Sequence, residues 1–543
     1  MKNIQVVRKK MTSLHPNIDR ENLKNSHLII IGAHDSSGGA GLVSDVKAAN
    51  ALKCDPKYVV THVTAQTHNS VSDIFPVSEE SFEAQLNSAK PENQDCKNLN
   101  VVLKLGMVGK KWMFKKIYSF IEFLEREGFS LKLVIDPVLL SSSGKSLMEE
   151  EALDFLKEFI FTKVTLLTPN LIEAENILKM KVRNLKDVEQ MGEKFLSLGV
   201  ESVLIKGGHF FERLSDDSNG VIYDYFCSLK RHYWLKAKKI KLNNELNPKV
   251  RGTGCFLATL VASGLAQGLN TSDSLVIGRC LLNSSIRKSR SNGGASILGP
   301  TGLESFRSSD FPIIEAFSNK EFYGKKDLTK KRGFKPLGDR PESFPWLYPI
   351  VDRANWISRL AENKLHIIQL RIKDLEGDAL EREIEEAVYL SKTYNIKLFV
   401  NDYWELALKY KAYGVHLGQE DLSSANLERI REGGLALGLS SHSYEEGAIA
   451  KGIFPSYVAL GPIYFTKLKA MNFSPQGVSA LKTWKKIYDC PVVAIGGINL
   501  ELLPEVMSAS PEIVSVVRDI TLSKKPTQRV KEWQKQLSAK SCM

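Results

Sequence analysis

Eight short apolar runs in the C-terminal third of the chain constrain its fold most. They fall at 347–351, 366–371, 397–400, 413–416, 435–439, 457–460, 492–495 and 513–517, with helical stretches between them. Runs of this length, bounded by polar and glycine residues, read as buried strands. Eight strand–helix units predict a compact (β/α)8 barrel, with its reactive groups at the C-terminal strand ends. The second run leads into Gln369-Leu370-Arg371-Ile372-Lys373, the third into Asn401-Asp402 and the fourth into His416-Leu417-Gly418-Gln419-Glu420-Asp421. The others lead into Ser440, Gly461-Pro462, Gly496-Gly497 and Arg518-Asp519. Asp402 and Asp421 could share a magnesium ion, with Arg371 and Lys373 around a diphosphate. Gly496-Gly497 could let a phosphate approach the backbone, as in barrel phosphate sites after strands seven and eight. Any one of these residues alone reads as a rim salt bridge. Their common placement argues for a site.

A second alternation precedes the first. Leu28–Ile31, Tyr58–Thr64, Val101–Met107, Leu131–Ile135, Val164–Leu167 and Val203–Ile205 read as strands, with helical stretches between them. This pattern predicts an α/β domain built on a parallel sheet. The polar groups past its strand ends are Asp35, Gln66, Asp136, Asn170, Glu173 and Lys206, where the site of such a sheet forms. Lys206 on a glycine pair suits a phosphate. Asn170 and Glu173, three residues apart at a helix start, could hold magnesium through water.

The run Arg251-Gly252-Thr253-Gly254-Cys255 then opens an apolar helix. Gly252 and Gly254 allow close backbone approach, and free N–H groups at a helix start suit an anion. Cys255 lies in the first turn, where a thiol pKa is usually lowered. It could act as a base toward a substrate hydroxyl or form part of the anion hole. A glycine turn with a structural cysteine is the plainer reading. The six polar strand ends beside this turn favour a small-molecule kinase.

The 543 residues carry a net charge of +12. No basic stripe interleaves with aromatics, so the charge points to phosphorylated ligands and away from nucleic acid. No apolar run reaches the ~20 residues of a membrane helix. Seven scattered cysteines fit a reducing, cytoplasmic setting. The basic, polar residues 1–25 lack a secretory signal's apolar core and leave organelle targeting open. The expected division is a tail at 1–26, a first domain at 27–300, a linker with a few ordered stretches at 301–343 and a second domain at 344–543. A homo-oligomer is compatible with all of this.

Residues 27 to about 300 resemble the hydroxymethylpyrimidine/phosphomethylpyrimidine kinases of thiamine synthesis, in the ribokinase-like superfamily. The likeness rests on Asp35-Ser36-Ser37-Gly38-Gly39-Ala40-Gly41, Thr64-Ala65-Gln66, Lys104-Leu105-Gly106-Met107, Asp136-Pro137-Val138, Thr168–Ala174, Lys206-Gly207-Gly208-His209 and Gly252–Cys255. It implies ATP as co-substrate and Mg²⁺ as cofactor. It implies that Gln66 and Asp35 contact the pyrimidine and that Cys255 sits catalytically at the 5-hydroxymethyl group. Lys206, Gly252, Gly254, Asn170 and Glu173 would serve the ATP phosphates and metal. The chain departs from the family pattern at Ala33-His34, Arg251 and Ser141–Gly144.

The barrel resembles thiamine phosphate synthase from about 346 to 522, through Gln369–Lys373, Asn401-Asp402, Gly414–Asp421 and Ala494–Ile498. The resemblance implies that Gln369, Leu370, Arg371, Ile372, Lys373, Asn401, Ser440 and Lys469 bind the pyrimidine diphosphate. Asp402 and Asp421 would bind magnesium. Thr466, Lys467, Leu468, Gly497, Val517 and Arg518 would bind the thiazole phosphate. Leu468 replaces a family threonine, and Arg518 stands where serine is usual. The partners implied are small-molecule substrates. The rival readings are a pyridoxal-type kinase fused to a barrel and a sensor that binds without turnover.

Overall fold

The computed structural model describes residues 26–67, 70–91, 99–140, 144, 146–208, 220–240, 250–292, 295–299, 301–315, 333–337, 345–465 and 475–540. They form two compact units, one ending at residue 315 and one starting at 333 among the described residues.

In the first unit, β1 (Ser26–Asp35) leads through a glycine-rich turn to α1 (Gly41–Ala51). The other strands of its main sheet are β2 (Lys57–Gln66), β3 (Val71–Pro76), β4 (Asn100–Leu105), β5 (Ser130–Ile135), β6 (Leu166–Leu167), β7 (Ser202–Lys206), β8 (Val221–Ser228), β9 (His232–Lys238) and β10 (Ile313–Glu315). They form one ten-stranded sheet in the order β10-β9-β8-β7-β6-β5-β4-β1-β2-β3. The centre is parallel, as the alternation predicts. The edges are not, because β3 and β8–β10 pair antiparallel. The sheet is therefore mixed. Hairpin-type edges need no crossover helix, and the strand–helix period does not reveal them. Ile313–Glu315, inside the segment expected as linker, pairs with Trp234–Lys236 of β9.

Helix α2 (Leu171–Leu178) follows β6, and α3 (Thr253–Ala266) starts at the glycine turn. Every residue of α3 from Phe256 to Ala266 is buried. It packs against α1, β4 and α4 (Thr271–Arg287). A helix apolar on all sides is stable only in such a position.

The second unit is a closed eight-stranded barrel. Its strands are β11 (Trp346–Val351), β12 (Ile367–Leu370), β13 (Lys397–Asn401), β14 (Gly414–Leu417), β15 (Ala436–Ser441), β16 (Tyr457–Leu460), β17 (Val492–Ala494) and β18 (Ile513–Val516). All are parallel to their neighbours. Tyr348, Phe399 and Tyr457 fill its interior in edge-on contacts, 6.2, 5.8 and 5.1 Å between ring centroids. Gly414 leaves room for the Phe399 ring and Gly438 for that of Tyr457. Residues 333–337 also belong to this unit. Phe334 N donates to Phe454 O, and Leu337 joins the barrel's apolar cluster.

Candidate functional site

In the first unit the strand ends gather the predicted polar groups. Asp35 closes β1, buried at 3% exposure. Its Oδ1 accepts from Ser37 N and Ser37 Oγ, both at 2.7 Å, and its Oδ2 accepts from Ala40 N at 2.8 Å. Burial alone would raise its pKa, yet these donors hold it below the usual carboxylate value. Its observed work is to shape the glycine loop. Gln66, closing β2, accepts at Oε1 from Arg251 at 3.3 Å, and Arg251 also donates to the Thr67 carbonyl. Arg251 thus ties the β2 end to the start of α3.

Gly252 begins α3 at φ +73°, in the region that favours glycine. A Cβ there would lie 2.9 Å from Ser44 Oγ and 3.2 Å from Ala40 Cα. A Cβ at Gly254 lies 3.2 Å from Lys206 Nζ and 3.6 Å from Asp136 Oδ2. The helix start therefore faces a buried ion pair, Lys206 Nζ to Asp136 Oδ1 at 2.7 Å. Burial raises the pKa of Asp136, but Lys206 and Lys104 outweigh it and pull it down.

The parallel bridge between Asn170 and Lys206 brings the next strand end alongside. Asn170 caps α2 by accepting from Glu173 N at 2.9 Å, and Glu173 returns the bond to Asn170 N at 2.7 Å. This is a capping box. Burial pushes Glu173 up to about 7, with Lys206 opposing and Asp136 adding to the shift.

Cys255 departs from expectation. Burial raises its thiol pKa, and Asp136 raises it further. The helix start would lower it, but desolvation and a neighbouring carboxylate win. A thiol raised in this way keeps its proton beside the Asp136 carboxylate.

Three residues absent from the expected site, Lys104, Asp45 and Thr259, lie behind this turn. Lys104 is fully buried and holds both oxygens of Asp45 at 2.9 Å. Thr259, one turn beyond Cys255 on α3, donates to Asp45 Oδ1 at 2.7 Å. Burial would lower the Lys104 pKa, but Asp45 and then Cys255 and Asp136 hold it raised. The sequence signal was a lone lysine inside an apolar strand.

In the barrel, the predicted rim residues meet. Asp402 adopts φ +68°, which is rare for a non-glycine residue. Its Oδ2 binds Lys373 Nζ at 2.6 Å. Asp421 Oδ2 accepts from Gly418 N at 3.0 Å. Burial raises the Asp421 pKa, and the charge of Asp402 raises it further. Two neighbouring carboxylates at a barrel rim fit a divalent cation. Among the described residues no group of three or more His, Cys, Asp or Glu could hold a metal, so this pair would leave coordination positions to water and phosphate oxygens, as magnesium prefers.

Leu370 and Ile372 are each 1% exposed, and their side chains belong to the core. Arg371 is half-buried beside them, and Asn401 is buried at the end of β13. Ser440 Oγ lies 2.9 Å from His416 Nε2. Burial pushes His416 down to about 4. Gly496 and Gly497 have φ +99° and +69°, where a Cβ would meet Pro462 Cα at 2.6 Å and Phe465 O at 2.7 Å. Val517 is half-buried and Arg518 exposed just past β18. Thr466, Lys467, Leu468, Lys469 and His209 lie outside the described residues.

Residues 347–520 match the family model Thiamine monophosphate synthase. A thiamine-phosphate synthase of Photorhabdus laumondii is 52% identical over 179 residues, 33% of this chain and 83% of that protein. The chain belongs to the thiamine-phosphate synthase family. A thiamine-phosphate synthase of Yersinia pestis is 48% identical over 178 residues, again 33% of this chain and 83% of the relative. Residues 35–300 match the family model Phosphomethylpyrimidine kinase. A solved phosphomethylpyrimidine kinase from Clostridium difficile shares 25% identity, covering 48% of this chain and 99% of its own, with a TM-score of 0.39. The chain thus fuses a kinase unit to a synthase barrel, and both families are transferases. In the synthase barrel the expected set did not include Tyr348, His416 or Tyr457. These side chains link Gln369 to Ser440 through the interior.

Proposed function

We propose that the kinase unit phosphorylates 4-amino-5-hydroxymethyl-2-methylpyrimidine and then its phosphate with ATP. The synthase barrel then condenses the diphosphate with 4-methyl-5-(2-phosphoethyl)thiazole, giving thiamine phosphate and diphosphate. The observation that carries this reading is the barrel rim, where facing Asp402 and Asp421 lie beside Lys373. That set suits a metal-bound diphosphate leaving group.

In the kinase unit, phosphoryl transfer rests on positioning and charge neutralisation. The N–H groups at Gly252–Cys255 would face the transferring phosphoryl group, and Lys206 would exchange Asp136 for a phosphate oxygen. Asn170 and Glu173 would hold Mg²⁺, which neutralises phosphate charge when bound. Gln66, steadied by Arg251, would meet the pyrimidine, with Asp35 shaping the loop beside it. The raised thiol of Cys255 makes it a donor to developing negative charge rather than a base. In a loose transition state the substrate hydroxyl needs no early deprotonation.

In the synthase barrel, the aminopyrimidine shares positive charge with its methylene carbon as the diphosphate departs. Arg371 and Lys373 would stabilise the departing oxygens, and Asp402 and Asp421 would hold Mg²⁺, which screens that charge. Gly497 would let the thiazole phosphate meet the backbone, with Arg518 at the rim as a second cation. The thiazole nitrogen then attacks the carbon, and no covalent enzyme intermediate is required.

The test is a single reaction holding the full chain, Mg²⁺, ATP, hydroxymethylpyrimidine and thiazole phosphate, assayed for thiamine phosphate. ATP-dependent product supports both units. Absence of product, even when the pyrimidine diphosphate is supplied directly, would refute the synthase reading and favour a sensor.

A further inference from the structure

A continuous file of hydrogen bonds crosses the barrel interior. Gln369 Nε2 donates to the Tyr348 hydroxyl at 3.1 Å. The Tyr348 and Tyr457 hydroxyls are 2.8 Å apart. Tyr457 lies 2.8 Å from His416 Nδ1, and His416 Nε2 lies 2.9 Å from Ser440 Oγ. The five groups come from β12, β11, β16, β14 and β15. Tyr348, Tyr457, Gln369 and His416 are all under 8% exposed. Only the two ends, Gln369 and Ser440, belong to the expected ligand set.

Each internal member has one proton to donate, so the file has a direction. With the Gln369 amide donating, Tyr348 must give its own proton to Tyr457. Tyr457 must then give its proton to His416 Nδ1. An imidazole that accepts at Nδ1 carries its proton on Nε2 and donates it to Ser440 Oγ. Ser440 keeps its O–H free, and Gln369 keeps its carbonyl oxygen free. One end therefore offers an acceptor and the other a donor. The placement of the Gln369 amide, with Nε2 on the Tyr348 hydroxyl, fixes this direction over the reverse one. Intermediate arrangements leave a buried hydroxyl or ring nitrogen unsatisfied, which costs about 1–3 kcal/mol.

We propose that Tyr348, Tyr457 and His416 are positioning residues that couple the Gln369 amide to the Ser440 hydroxyl, so that the site reads its pyrimidine as a donor–acceptor pair in one orientation. An aminopyrimidine has that pattern, with an exocyclic N–H donor beside a ring-nitrogen acceptor. Its 4-oxo counterpart has the inverse pattern. This rests on the reading of the rim as the pyrimidine diphosphate site.

The test uses the full chain labelled with ¹⁵N-histidine, the His416 signal being assigned by its loss in His416→Gln. The expected spectrum shows a neutral ring protonated on Nε2 with a bare Nδ1. A proton on Nδ1, alone or on both nitrogens, would overturn the proposal. In parallel, without ATP, the 4-amino and 4-oxo forms of the pyrimidine monophosphate compete against supplied diphosphate. The native chain should prefer the amino form by about tenfold or more, and Tyr457→Phe and Tyr348→Phe should each erode this by about fivefold, the scale of one neutral hydrogen bond. Unchanged preference in both folded variants would sink the coupling. An inactive native chain would refute the synthase reading instead, while the tautomer would still be read directly.

Discussion

Gly252→Ala should silence the kinase unit and leave the synthase barrel working. The backbone there sits at φ +73°, where a Cβ costs about 1–2 kcal/mol. The new methyl would overlap the Gly39 carbonyl oxygen and crowd Ser44 Oγ at 2.9 Å and Ala40 Cα at 3.2 Å. These atoms belong to the loop that Asp35 shapes and to the first turns of α1. Ser44 cannot simply rotate away without losing its donation to the Gly252 carbonyl at 3.4 Å. Loop and helix start must therefore separate, and a shift of about 1 Å at a reacting group costs on the order of 100-fold in rate. The assay is ADP release with hydroxymethylpyrimidine, run beside thiamine phosphate formation from supplied diphosphate on the same preparation. The first should fall by on the order of 100-fold, and the second should not change. Kinase kcat/KM within about threefold of native would refute the claim that this turn is held by contact to the glycine loop.

Asp402→Asn and Asp421→Asn should each lower synthase kcat/KM by on the order of 100-fold and raise the Mg²⁺ concentration needed, since a metal supplies several kcal/mol of charge stabilisation. The double variant should lose less than the product of the two, because the carboxylates act as one site. Glu173→Gln should grow more stable relative to the native chain as pH rises. With its pKa raised from 4.5 to about 7, Glu173 stabilises the folded chain fully below pH 4.5 and loses that contribution as pH rises through 7. Parallel melts at pH 5 and 8 measure the difference. Lys104→Met should destabilise the kinase unit by about 3–5 kcal/mol by stranding Asp45, and adding Asp45→Leu should recover most of it. Denaturant midpoints decide this, and equal losses in the single and double variants would argue against a buried pair.

Much of the architecture was legible because the strand ends announce themselves. The run at 397–400 ends at Asn401-Asp402 in the sequence and in β13 alike. Lys206 and Asn170 come from separate strand ends and meet in a bridge. Antiparallel edges such as Val221–Ser228 lack a crossover helix, and their aromatic residues give no period that separates them from a loop. Chemical state was least legible. A cysteine at a helix start predicts an acidic thiol, but only the fold places Asp136 beside it and limits its contact with water. Asp35 reads as a ligand group, yet its loop supplies three donors to it. His416 stands in a recognisable run, but its partners Tyr457 and Ser440 come from other strands.

Asp402 shows why such a site must be built by the fold as a whole. Its left-handed backbone costs about 1–3 kcal/mol for a residue with a side chain. A strand end free in solution would relax to the extended region and turn the carboxylate away from Asp421. Here Asp402 N donates to the His416 carbonyl at 2.9 Å, and Trp404 N donates to the Asp402 carbonyl at 2.8 Å. The first bond ties Asp402 to β14, whose continuation carries Asp421. The strained conformation is thus enforced by the same strand that supplies the second carboxylate. Loosening the β13–β14 pairing would release the strain and dissolve the carboxylate pair together. The juxtaposition of the two acids persists only while the barrel stays closed, so the Mg²⁺ affinity proposed for them should fall as soon as the β13–β14 pairing is loosened.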